Sequence, residues 1–367
     1  ALVLLPKVQR IASEDRDRAN RYTALALKSR AMLYAGTIAK YGKVSNNSFQ
    51  GIRKEMAKTY LLEAAKAAKE IVDDGKYALS TEFGDLFNGK DENNNEIIFR
   101  FANVANTGVA VYEDYWYQSY RIKRSSYCAF MVPPLDVVEQ FETLDGKIQP
   151  LDYAASKNNP EDFFANRDKR LDATVIYPGG EFLGERFSIY RKTLVKRTDG
   201  TTEEYSYEKS EDWMGAGKVP GHEKYMKSGA DGIFLNLSAA GTTNWGFFLK
   251  KTLYGVKRLD DYLIQENDQD AVVIRYGEVI LNLAEAAVEL STYGVNDYLA
   301  VAQVAFDQLR SIHGGLPAKT MDLEVVRHER RIDLMYEGFR YWDLKRWRIG
   351  EEKMHNKTLK ALYPILH

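Results

Sequence analysis

Between Asp322 and Trp347 charged residues alternate with large apolar ones almost without a break. Few folds can absorb such a stretch. Val325, Ile332, Met335, Phe339 and Trp342 recur at helical spacing, which predicts one buried face. Asp322 is placed to cap the first helical run, Glu324 lies in its first turn, and Gly338 marks the junction with a second run. Opposite charges recur three apart: Arg330 with Asp333, Glu337 with Arg340, Asp343 with Arg346. Exposed pairs at that spacing contribute only ~0.2–0.5 kcal/mol each. So many charges beside so many aromatics predict that some pairs sit between packed helices, where they fix register more than they stabilise.

The remaining helical signals frame this stretch. Ala24, Leu27, Ala31, Tyr34, Ile38 and Tyr41 predict a helix over residues 20–41 that ends at Gly42. Ala57, Leu61, Ala64, Ala68 and Ile71 predict a second, stopped by Asp73-Asp74-Gly75. Together they read as a helical-repeat pair of tetratricopeptide type with a long connecting loop. Tyr276, Ile280, Leu283, Ala287 and Leu290 predict a helix ended by Gly294, and Ala302, Phe306 and Leu309 its partner, stopped by Gly314-Gly315 and Pro317. Asn95–Phe101 and Gly246–Lys251 read as short strands, and Pro133-Pro134 opens a short helix. Residues 179–245 lack a clean period and read as loop.

Composition narrows the function classes. The 367 residues carry 51 Lys and Arg against 52 Asp and Glu, a balance that argues against a polyanion partner such as nucleic acid. A single cysteine, Cys128, excludes an intramolecular disulfide framework and a cysteine metal cluster; its apolar surroundings read as buried packing. No apolar run reaches the ~18 residues that would span a bilayer. Tyr is abundant at 24, with 16 Phe and 5 Trp, residues suited to surfaces that bind.

The run R-H-E-R-R-I-D-L-M-Y-E-G-F-R-Y-W-D-L-K-R-W, residues 327–347, resembles the C-terminal signature of the SusD/RagB family, E-R-R-x-E-L-x-x-E-G-x-R-x-x-D-L-x-R-W. Asp333 stands where the family usually has Glu. The resemblance extends to residues 24–30, to Phe141-Glu142-Thr143 with Asp145-Gly146, to Asn166-Arg167-Asp168 with Arg170-Leu171, and to Ile274–Ala286. Lys169 departs from the proline common there. Leu4-Leu5-Pro6 is similar to the end of a helix that family members carry earlier, and Leu362–Ile365 to the start of their closing segment. The resemblance implies a mainly α fold: tetratricopeptide-like helix pairs carrying irregular loops and a few short strands. It implies one SusD-like domain over 1–367, with a helical-repeat pair and short strand in 1–105, a loop-rich ligand-facing region in 106–265 and C-terminal helices in 266–367. It further implies a lipid-anchored protein on the outer surface of a Gram-negative bacterium, whose signal peptide and lipidated cysteine would precede this chain. Such a protein would pass oligosaccharide or polysaccharide to a SusC-like, TonB-dependent outer-membrane transporter, without cofactor or catalysis. Peptide import is the alternative within the family, and a glycosidase the alternative outside it.

The residues nominate no reaction centre. His222, His313, His328, His355 and His367 lack the spacing that puts two metal ligands on one helix face, and His328 reads as structural. Gly215–Gly221 lacks a preceding strand, and Pro220 removes an amide that a phosphate would need. There is no Walker A loop and no G-x-S-x-G elbow. Asp114, Glu161 and Asp231 are acids among many and point to no catalytic pair. Flat rings that stack on the apolar faces of sugars are the positive signal. Trp116, Tyr117, Trp213 and Trp245 fall in or beside loop-like stretches and are the candidate ligand-binding residues; Trp342 and Trp347 are assigned to packing.

Overall fold

The computed structural model describes residues 4–5, 7, 18–43, 51–103, 129, 131–153, 159–206, 217–232, 243, 245–253, 255 and 269–367. Helix α1 (Arg21–Tyr41) opens with a capping box, in which the Asn20 side chain accepts from the Thr23 amide at 2.9 Å. Helix α2 (Ala57–Asp74) ends on Gly75 in the left-handed conformation, as the sequence predicts. The two lie so close that a Cβ on Gly36 would stand 2.8 Å from Cγ of Leu61. Small residues on the seam, Ala64, Ala65 and Ala68, allow that approach and are fully buried.

Strand β1 (Ile97–Phe101) follows, and two short helices come next, α3 (Leu135–Val138) and α4 (Arg170–Thr174). Residues 179–245 depart from the expected loop. Among the described residues there, β3 (Glu181–Phe182) pairs with β4 (Glu185–Arg186), β5 (Lys192–Lys196) with β6 (Thr202–Ser206), and β7 (Lys218–Val219) with β8 (His222–Met226). These ribbons expose both faces for much of their length, so no apolar alternation marks them. Strands β2 (Val175–Ile176) and β9 (Phe248–Leu249) are fully buried and pair with each other, and β10 (Ala271–Arg275) runs antiparallel to β1.

Helix α5 (Tyr276–Ser291) is the axis of the molecule, packed against α1, α2, α6 (Leu299–Leu309) and α7 (Leu323–Asp333). Its apolar residues join those of α1, α2 and α6 in one core. Yet one stripe of α5 is polar and buried: Glu278, Asn282, Glu285 and Glu289, one per turn. Each receives a donor from another helix. Arg30 reaches Glu278 at 2.6 Å, Arg330 reaches the Asn282 side chain at 2.7 Å, and Lys40 reaches Glu289 at 2.6 Å. Glu285 accepts from Arg346 at 2.6 Å and from the Trp347 indole at 2.7 Å. The stripe therefore sets the register of α1, α7 and α8 (Phe339–Arg346) on α5, since a buried carboxylate without its partner is costly.

Helix α7 is capped as expected, with Asp322 accepting from the Val325 amide at 2.8 Å. It and the turn after it serve two cores: Val326 and, past the helix end, Leu334 join the helical one, while Ile332 and, past the end, Met335 join a second built on Phe141, Phe164 and Phe247. A short helix α9 (Gly350–Met354) follows α8, and β11 (Ile365–Leu366) lies parallel to β5. Among the described residues, no helix is long and apolar enough to cross a membrane.

Candidate ligand-binding site

The signature arginines and acids choose different partners from those their spacing predicts. Asp343 and Arg346 do pair, at 2.8 Å. Asp333, however, faces Arg275 at 2.6 Å, His313 at 2.7 Å and Arg170 at 2.9 Å, while Arg330 turns to Asp343 at 2.8 Å. Glu337 binds Arg275 at 2.9 Å and Lys251 at 2.7 Å instead of Arg340. The reason is burial: in the interior, partners from other elements are near enough to outbid the weak contact along one helix. Around Asp333 the cluster continues through Glu96, Glu329, Arg310 and Glu142, all buried. Burial alone would raise the Asp333 carboxyl, but Arg275, His313 and Arg170 hold it well below the usual carboxylate range. Burial alone would lower His313; the carboxylates of Glu96 and Asp333 overcome that and raise it to about 9. Glu96 and Asp333 both contact the His313 ring, and the side chains of all three are 0% exposed.

In front of this cluster opens a cavity of about 800 Å³, bounded by α1, the β1–β10 ladder and the turn from α7 to α8. Two large rings on its border are unpacked: Phe101 is 60% exposed and Trp342 55%. The assignment of Trp342 to packing is thus corrected. Helix α7 stops at Asp333, and the chain reverses through Tyr336 and Gly338, both at positive φ, before α8 begins. That turn rephases the helical face, so Asp343, Leu344 and Arg346 point inward and Trp342 outward. Trp342 meets Tyr341 edge to face at 5.1 Å, and the Lys345 ammonium lies 5.5 Å from its ring centre. Trp347 is buried, as expected. Val272 and Phe339 add apolar wall, and Asn103 and Thr252 add polar groups. The Asn103 side chain donates to the Gln269 carbonyl at 2.7 Å, and the buried Thr252 hydroxyl has no hydrogen-bond partner among the described residues.

A second cavity of about 990 Å³ lies between α4, β3 and the residues near Phe83. Its border carries many charges, among them Lys90, Lys250, Asp172 and Glu181; its rings Phe83, Phe164 and Phe182 are buried, and Tyr177 is stacked on Phe164 at 4.4 Å. Among the described residues it offers no exposed aromatic face comparable to Trp342.

Of the residues nominated from sequence, Trp116, Tyr117 and Trp213 lie outside the described residues, as do Cys128 and Asp114. Trp245 is half-buried; its amide donates to the Thr243 hydroxyl at 3.0 Å, its carbonyl accepts from Leu362 at 3.0 Å, and it lines neither cavity. Asp231 is buried and accepts from the Ser188 amide at 2.9 Å, and Glu161 pairs with Arg186, both structural roles. Phe101 and Trp342 were not nominated from sequence, although both are exposed rings on the border of the first cavity. One readable signal was that Phe101 closes its strand directly before Ala102-Asn103 and the aromatic-rich stretch from 104. Among the described residues no group of His, Cys, Asp and Glu is arranged to hold a metal.

The sequence profile of the SusD family matches residues 95–363. No curated protein matches the chain. Solved structures do. A SusD-like carbohydrate-binding protein from Bacteroides fragilis is 23% identical, with a TM-score of 0.66 over 99% of this chain and 59% of that one. Surface glycan-binding protein A from Bacteroides uniformis is 15% identical, with a TM-score of 0.52 over 96% of this chain and 55% of that one. A structure described as holding xylogluco-oligosaccharide is 14% identical, with a TM-score of 0.54 over 92% of this chain and 53% of that one. The chain therefore spans little more than half the length of these structures and shares their fold.

Proposed function

The chain belongs to the SusD family, and on that premise we propose that it captures oligosaccharide at the bacterial surface and hands it to a TonB-dependent outer-membrane transporter, without catalysis. The observation that carries this reading is the pair of exposed rings, Phe101 and Trp342, on the border of one 800 Å³ cavity with Asn103 and Thr252 beside them. Ring faces complement the C–H faces of a sugar, and the neighbouring polar groups complement its hydroxyls. The buried frame supports binding over reaction, because its acids are consumed by arginines and closed off from solvent. In this reading a lipid anchor ahead of the chain holds the protein to the outer membrane, and Trp116, Tyr117, Trp213 and Trp245 add stacking surface.

Isothermal titration with a panel of polysaccharides tests it. Trp342→Ala and Phe101→Ala are expected to weaken binding about tenfold or more, equivalent to about 1.4 kcal/mol. Replacement of Trp116 or Trp213 by Ala is expected to reduce the heat in the same way. Saccharide binding that survives loss of all these rings would refute the site, and release of reducing ends by the purified protein would refute the absence of catalysis. Co-purification of the full-length, membrane-anchored protein with a transporter barrel tests the hand-over.

A further inference from the structure

We propose that the cavity bounded by Phe101 and Trp342 selects uncharged glycans and rejects uronates, sulfated sugars and peptides with free termini. This deepens the glycan-capture reading and rests on it. The carrying observation is the state of the charged side chains on the cavity wall. There are three among the described residues: Arg30, Asp270 and Glu337. Every one is held from behind by a partner that does not line the cavity.

Arg30 grips Glu278 through two hydrogen bonds of 2.6 Å and donates a third, of 2.8 Å, to the Val273 carbonyl. Asp270 lies 2.5 Å from the Arg100 guanidinium, and its other oxygen accepts the Asn103 amide at 3.0 Å. Glu337 is bracketed by Arg275, with one bond of 2.9 Å to each oxygen, and by Lys251 at 2.7 Å. An acidic ligand would need Arg30, and an amine would need Asp270 or Glu337. Each of these is already neutralised by an opposite charge behind it, so an ionic ligand would give up its hydration without meeting a net counter-charge on the wall.

A neutral sugar meets no such barrier. Its hydroxyls can donate to lone pairs that a carboxylate retains after forming an ion pair, since each carboxylate accepts at about four positions. Asn103 is a further polar group on the wall for them. Its apolar faces meet Phe101 and Trp342, which carry no charge. Lys345, which does not line the cavity, lies over the rings of Tyr341 and Trp342, at 5.0 and 5.5 Å from their centres, and donates to the Tyr341 hydroxyl at 3.3 Å.

The test is isothermal titration of the full chain with three probes of matched length at low and at high salt: neutral gluco- or manno-oligosaccharides, an oligogalacturonate, and a peptide with free termini. Heat is expected from a neutral probe alone, with less than about a twofold change in affinity between the two salt conditions, since uncharged ligands release no screened ion pair. Trp342→Ala should weaken that binding about tenfold, and Trp342→Phe should restore part of it. Binding of the oligogalacturonate or the peptide that weakens with salt and is lost in Trp342→Ala overturns the selectivity; with oligogalacturonate, the capture of glycan at this cavity would still stand. Neutral binding that is indifferent to Trp342→Ala, or heat from no probe, overturns both.

Discussion

Nδ1 of His313 lies 2.7 Å from the Asp333 carboxylate, joining the turn after α6 to the last residue of α7. The other ring nitrogen lies 2.9 Å from Glu96, just ahead of β1. One imidazole therefore ties together three segments that are remote in sequence. The frame behind the candidate cavity depends on this junction, because Arg275 spans the same two carboxylates and also holds Glu337 on the cavity wall.

Removing Asp333 should be severe. Asp333→Ala strips Arg275, Arg170 and His313 of a shared counter-ion in a site that water does not reach. An expected loss of about 3–5 kcal/mol follows from leaving buried charge uncompensated. Denaturant unfolding, compared with an exposed control such as Asp199→Ala, measures it; a loss below about 1 kcal/mol would show that the cluster is not held together as described.

The two histidines of the frame should bend the pH–stability curve in opposite senses. His313 has a folded pKa raised to about 9, so its contribution is fully present below the ordinary value of 6.5 and is lost as pH rises towards 9. His328 is pushed down to about 4 chiefly by burial, so its neutral form is favoured in the fold and stability falls as pH drops from 6.5 towards 4. His313→Gln should flatten the decline between pH 6.5 and 8, the range above which Lys251, lowered to about 8, adds its own titration. His328→Gln should flatten the acid side. Urea midpoints across pH for the three proteins check both signs.

Gly36 is where α1 and α2 come closest. Gly36→Ala forces the new methyl to within 2.8 Å of Leu61, and overpacking of this kind costs about 1–3 kcal/mol. Combining it with Leu61→Ala should recover part of the loss, a non-additivity that thermal unfolding of the single and double variants would reveal.

The two tryptophans of the signature should separate binding from stability. Trp347→Ala removes a fully packed ring and leaves Glu285 short of a donor, an expected cost of about 3–5 kcal/mol. Trp342→Ala, more than half exposed, should change stability by no more than about 0.5 kcal/mol while weakening saccharide binding. Equal thermal shifts for the two would contradict the orientation of α8.

Much of the framework was legible before any coordinates. The spacing from Ala24 to Tyr41 and the stop at Gly42 located α1, Gly75 closed α2 at the expected place, and Asp322 caps α7. The signature motif also identified the family and the fold. The ribbons between 179 and 245 escaped notice because short two-stranded pairs with polar residues on both faces carry no period to detect. The candidate site was less legible still. Trp342 followed the apolar spacing of α7, but the reversal at Tyr336 and Gly338 broke that phase and turned the ring out to the cavity border.

Helix positions and their caps were decided by the sequence alone, since periodicity and capping act over a few neighbouring residues. Which charge meets which was decided by the tertiary structure. Asp333 lies three residues from Arg330, yet it binds His313, Arg275 and Arg170 at separations of 20, 58 and 163 residues. A contact along one helix is a weak, solvent-screened preference, whereas a buried carboxylate takes whatever cations the folded chain brings to it; that choice exists only once the elements have been assembled.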